Sequence, residues 1–199
     1  MRRTTRFRRA VVGLLLGATA LLLGGCWILS LHPLHSDDHL VFEPGLEGVW
    51  GDPENPEDGS WQFVGSGGSS YRLVIREGNE LLVDPARHGI FEAHLVRLGD
   101  GLFLDLFPET PEYVSEYYES HVIPAHSFGR LALEGHVLRL ALLDADWLKE
   151  RLRDGEIRLP HEQRGDDLIL TASTEELQAF VLAHATEAFD EEDVLYRLQ

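Results

Sequence analysis

Cys26 is the only cysteine of the 199-residue chain, and it closes a run of apolar and small residues that begins at Ala10. A chain with one thiol cannot staple itself with an internal disulfide, so whatever follows Cys26 has to fold on its hydrophobic core alone. The length left after it suits one ordinary domain. Its position also removes sulfur chemistry from the body, because no thiol remains there to act as nucleophile or redox group.

Residues 1–9 carry five arginines (Arg2, Arg3, Arg6, Arg8 and Arg9) and no acid, and the uncharged run Ala10–Leu23 leads into Gly24-Gly25-Cys26. A cationic start, a short apolar middle and small residues at a cut point are the three parts of an export signal. The arginines stay on the cytoplasmic side while the apolar part enters the bilayer. Leu23-Gly24-Gly25-Cys26 resembles the lipobox of bacterial lipoproteins. The resemblance implies that residues 1–25 are a signal peptide, removed by a dedicated peptidase, and that the Cys26 sulfur receives a diacylglyceryl group. A further acyl chain of the palmitate type on the new amino group would complete a membrane anchor in the cell envelope. Trp27, and not an aspartate, follows the cysteine; in the same resemblance this implies the outer membrane, with the domain facing the periplasm. A competing reading is an uncleaved spanning helix, since Ala10–Leu31 is 22 residues without a charge, enough to cross a bilayer. Either reading exports the body.

All 34 acidic residues follow Cys26, against 12 basic ones, so the exported part has a formal charge of −22. Such a body repels nucleic-acid phosphates and anionic headgroups, which excludes nucleic acid as a partner. It favours solubility and cationic partners, either metal ions or basic proteins.

Ser30–Gly45, with Pro33, Pro44 and Gly45 and no usable periodicity, reads as a spacer, so residues 26–45 are expected to be a lipidated tether reaching on the order of 20 Å. Residues 46–188 read as one β-rich domain and residues 189–199 as a loosely held acidic tail. Strands are expected over Leu46–Gly51, Trp61–Val64, Tyr71–Glu77, Glu80–Asp84, Ile90–Leu98, Leu102–Phe107, Ser127–Leu133, His136–Leu143 and Leu168–Ala172. The alternation Tyr71, Leu73, Ile75 against Arg72, Arg76 is the period of a half-buried strand. Gly78-Asn79, Gly99-Asp100-Gly101 and Glu134-Gly135 mark hairpins. Thr110-Pro111 predicts a helix whose one face holds Tyr113, Val114, Tyr117, Tyr118 and His121, read as packing. Asp144 caps a helix over Ala145–Arg153, and Ser173-Thr174-Glu175-Glu176 is a capping box for a helix reaching about Ala188. The fold class is therefore mainly β with added helices (α+β): a small antiparallel β-barrel or strongly curved sheet with a C-terminal helix packed on it. Gly48-Val49-Trp50 resembles the Gly-x-Trp opening of lipocalins. That resemblance implies an eight-stranded ligand-binding barrel, its base closed by Trp50, with Gly48 letting the backbone pass close to it.

Polar residues inside this apolar pattern are candidates for chemistry. His32, His35 and His39 with Asp37 and Asp38 offer imidazole and carboxylate, which suit zinc, copper or nickel. Their loose spacing and Pro33 read instead as a polar spacer, so neither a metal site nor a cofactor is expected. Glu92 and His94 interrupt one strand, Asp105 lies between Phe103 and Phe107 on another, and His126-Ser127 follows Pro124-Ala125. A carboxylate among phenylalanines is costly unless paired, so Asp105 is expected to meet a histidine, an arginine or backbone donors. A catalytic version makes His126 or His94 a base, Asp105 its orienter and a serine the nucleophile. No Gly-x-Ser-x-Gly elbow supports it, and a buried structural pair is the stronger reading. Gly65–Ser70 lacks the lysine and the strand-to-helix setting of a phosphate loop. The function expected is a lipid-anchored binding or interaction module for an apolar small ligand or an envelope protein. An envelope hydrolase at Asp105 and His126, or a purely structural lipoprotein, are the alternatives.

Overall fold

The computed structural model describes residues 28–76, 88–111, 114–189 and 192–198. Along the chain lie β1 (Ile28–Ser30), β2 (Leu40–Val41), β3 (Gly48–Gly51), β4 (Ser60–Gly67), β5 (Ser70–Arg76), β6 (His88–Leu98) and β7 (Gly101–Pro108). There follow α1 (Glu116–Glu119), β8 (Ser127–Glu134), β9 (Val137–Leu142), α2 (Ala145–Asp154), β10 (His161–Arg164), β11 (Asp167–Leu170), α3 (Thr174–His184) and β12 (Asp193–Arg197). Strands β3 to β9 run up and down, each antiparallel to the next. β12 then pairs with β9 on one side and β3 on the other, closing an eight-stranded barrel. This is the mainly β, α+β barrel that the alternation and hairpin signals predict.

Period-2 alternation sends one set of side chains inward. Trp50, Phe63, Tyr71, Leu95, Leu104 and Leu138, each at most 1% exposed, converge in one cluster inside the barrel. Trp50 donates its indole N–H to the Leu46 carbonyl at 2.8 Å, and the Arg197 guanidinium lies 4.4 Å above its ring. Gly48 holds φ at 135°, in the region that favours glycine, where the chain turns toward Trp50. Arg197 also donates to the carbonyls of Glu47 and Gly45, so the last barrel strand is clasped to the start of the first.

The outward set is covered by a second layer. A three-stranded sheet in the order β1-β11-β10, with β1 parallel to β11, packs there with α2 and α3. Val96, Phe103, Leu148, Val181 and Phe189 share this outer core. Asp144 caps α2, accepting from the N–H groups of Asp146 and Trp147, and α3 starts with the reciprocal Ser173 and Glu176 bonds of a capping box. Both helices begin where the sequence places them.

Four expectations change. Residues 28–45 are not a tether: Ser30 and Leu34 are fully buried, β2 pairs with β6, and Glu43 exchanges hydrogen bonds with the Tyr71 hydroxyl. The proline-rich composition is used by a segment bonded to the barrel through its backbone. Residues 192–198 are not a loose tail, because β12 is a barrel strand. α1 is a single turn capped by Ser115, and Tyr117 and Tyr118 are exposed instead of packed. Finally, Ile28–Ser30 is strand and not part of a helix, while residues 10–27 of the uncharged run lie outside the described residues. No described helix is long and apolar enough to cross a membrane. The expected signal segment, Cys26, Tyr113 and the expected strand Glu80–Asp84 lie outside the described residues.

Candidate functional site

Asp105 sits at the centre of β7, where alternation turns Leu104 and Leu106 into the barrel and Asp105 outward. The register sets His94 of β6 on one side of it and Phe128 of β8 on the other. The outward side would face solvent in a bare barrel. Here the segment after β1 crosses it. Ser30 and His126 exchange backbone hydrogen bonds at 2.8 Å in both directions, which fixes this segment at the start of β8. From there Pro33 and Leu34 are held by α3: Thr174 donates to the Pro33 carbonyl at 2.8 Å and Gln178 to the Leu34 carbonyl at 2.9 Å.

The result is a carboxylate 1% exposed and ringed by donors. Asp105 Oδ2 accepts from the Leu34 N–H at 2.7 Å, the His35 N–H at 3.2 Å and His35 Nδ1 at 2.9 Å. Oδ1 accepts from His126 Nδ1 at 2.8 Å. An ionised carboxylate can only accept, so both Nδ1 atoms carry hydrogen and both Nε2 atoms are turned away from it. His94 stacks on His35 with ring centroids 4.2 Å apart, and Phe107 lies 4.6 Å from His126. The three imidazole side chains keep a share of solvent exposure: 22% for His35, 14% for His94 and 12% for His126.

Burial pushes the Asp105 carboxyl up, but the hydrogen bonds from His126 and His35, with the attraction of their rings, more than reverse this and hold it at about 2. The group is thus ionised throughout the neutral range. His94 is pushed below the ordinary histidine value, first by burial and then by His35 beside it, with Glu92 and Asp105 opposing.

The expectation that Asp105 meets histidine or backbone donors holds, and it meets both. His126 and His94 lie where the sequence reading put candidate bases, and His126 touches Asp105. His35 is the member that reading assigned to a spacer. Its partners are 70 residues away in the chain, so no local pattern marks it; the one available signal was that a buried aspartate needs more donors than its own strand supplies. Among the described residues, the side chains of His32, Asp37, Asp38 and His39 make no hydrogen bond to Asp105. His39 pairs with Ser36 at 2.8 Å. Ser127 is buried, and among the described residues no serine hydroxyl is hydrogen-bonded to His126 or His94. His35, Asp105 and His126 each place one donor atom within 4.8 Å of the others, the spacing of potential metal ligands. No protein-family model, curated protein or solved structure matches this chain.

Proposed function

We propose that this chain is a bacterial envelope lipoprotein, anchored through lipid on Cys26, whose barrel is an interaction module for an envelope protein. The observation that carries the anchor is Leu23-Gly24-Gly25-Cys26 placed only two residues before β1. Two steps of extended chain reach about 7 Å. The β1 edge of the domain therefore rests close to the bilayer, on the periplasmic face of the outer membrane by the Trp27 criterion. Two or three acyl chains, each buried methylene contributing about 0.8 kcal/mol, make such an anchor durable.

A protein partner is favoured over an apolar small ligand for two reasons. Large side chains such as Trp50, Phe63 and Tyr71 occupy the barrel interior. Apolar surface lies instead outside, between β7 and β8, where Tyr117 is 86% and Ile123 78% exposed, beside Tyr118 and Val122. Exposed aromatic and apolar residues close together in a segment are what partner surfaces offer. The hydrolase reading retains the Asp105–His126 contact but needs a hydroxyl that the described residues do not bring to it.

Metabolic labelling with a fatty acid is expected to mark the wild-type chain and to fail for Cys26→Ala. An unlabelled wild-type chain that keeps residues 1–25 would overturn the anchor. A photo-crosslinking residue replacing Ile123 is expected to trap a discrete envelope protein, while the same probe replacing the exposed Glu57 traps none. Equal adducts at both places, or none at Ile123, would remove the partner surface.

A further inference from the structure

We propose that His35, Asp105 and His126 form a binding site for one divalent transition-metal cation, with zinc the best match to the donor set. Two imidazoles and a carboxylate, with further positions open, are a donor set zinc accepts. Zinc holds nitrogen and oxygen at about 2.0–2.2 Å, which in a tetrahedron separates two ligand atoms by roughly 3.3 Å. The Nδ1 to carboxylate distances are 2.9 Å for His35 and 2.8 Å for His126, and the three donor atoms all lie within 4.8 Å of one another. Admitting the ion requires each imidazole to part from its carboxylate oxygen by a few tenths of an ångström, and the wider pairs of the set, which lie within 4.8 Å, to draw together toward the tetrahedral spacing.

The exchange balances atom by atom. Without metal, each Nδ1–H hydrogen bond ties a ring to the carboxylate. On binding, each neutral ring moves that hydrogen to Nε2 and gives its Nδ1 lone pair to the cation, and a ring that was protonated releases one proton to water. Asp105 gives a lone pair of Oδ1. Oδ2 keeps the Leu34 and His35 backbone N–H groups, so the carboxylate stays oriented by partners that the metal does not disturb. The imidazoles are partly exposed, so a water or a substrate atom can complete the coordination. The rest of the molecule favours the event, because a body of formal charge −22 concentrates cations around it.

The test uses the full chain in detergent micelles, stripped with a chelator and titrated with Zn²⁺ by calorimetry. One saturable equivalent per chain is expected. His35→Gln and His126→Gln should each weaken it at least tenfold, and the exposed His136→Gln should leave it unchanged. Absence of saturable binding, or wild-type affinity in both folded variants, overturns the site. Should either variant fail to fold, the side-chain nitrogen resonances of the wild-type protein decide: those of His35 and His126 are expected to shift on adding Zn²⁺. If they stay still while other histidines move, the assignment is wrong.

Discussion

Deleting residues 192–199 is expected to abolish the cooperative unfolding transition of the domain. β12 pairs with β9 over Asp193–Tyr196 and with β3 through Tyr196 and Arg197. Without it the barrel has two unpaired edges, at β3 and β9, which are templates for aggregation. The Arg197 guanidinium leaves the face of Trp50, and the carbonyls of Glu47 and Gly45 lose their donor. The inner cluster, including Trp50 and Leu138, then opens to water along a whole strand. A domain of this kind holds a net stability of about 5–15 kcal/mol, and losing one stave of the barrel consumes most of it. Urea unfolding followed by tryptophan fluorescence should change from a sigmoid to a broad slope. Arg197→Ala, which keeps the strand, should cost only about 1–2 kcal/mol. A truncated chain that still unfolds in one sharp step near the wild-type midpoint would show that closure is not what holds the barrel.

The strands that were legible are those whose signal is local. β6 and β7 alternate and turn at Gly99, and β8 and β9 turn at Gly135; both glycines take positive φ. Asp144 and Ser173 announce their helices by the same logic, since a cap is satisfied within three residues. β12 was hidden because its apolar residues, Val194, Leu195 and Tyr196, follow the acidic run Asp190–Asp193, and its partner β3 lies more than 140 residues earlier. β1 was hidden for the opposite reason: Ile28-Leu29-Ser30 continues the apolar run that begins at Ala10, and no turn residue or change of period separates the strand from it. β10 is exposed at every residue, so its backbone pairing with β11 leaves no hydrophobic trace. At the site, the cost of burying Asp105 was legible and so was its need for histidine, but the identity of His35 depended on a chain crossing that only the folded molecule supplies.

That crossing makes Asp105 the residue whose loss should be felt most among single polar substitutions. Asp105→Ala removes the acceptor for two imidazole N–H groups and two backbone N–H groups at once. Breaking a buried charged network of this kind costs roughly 3–5 kcal/mol, and the segment carrying Leu34 should become the first part to exchange its amide hydrogens. Asp105→Asn is expected to cost less. Its oxygen still accepts from Leu34 and His35, and its NH₂ can donate to His126 once that ring carries its hydrogen on Nε2. The pH dependence separates the charge from the shape. The folded carboxyl titrates at about 2 against 3.8 for the unfolded chain, a depressed value, so its contribution is complete above pH 4 and vanishes as the pH falls through 2. That shift corresponds to about 2 kcal/mol. In metal-free buffer the stability gap between wild type and Asp105→Asn should therefore shrink by about this amount between roughly pH 5 and pH 2. A gap that stays constant across that range would mean that the carboxylate charge is not what holds His35 and His126 in place.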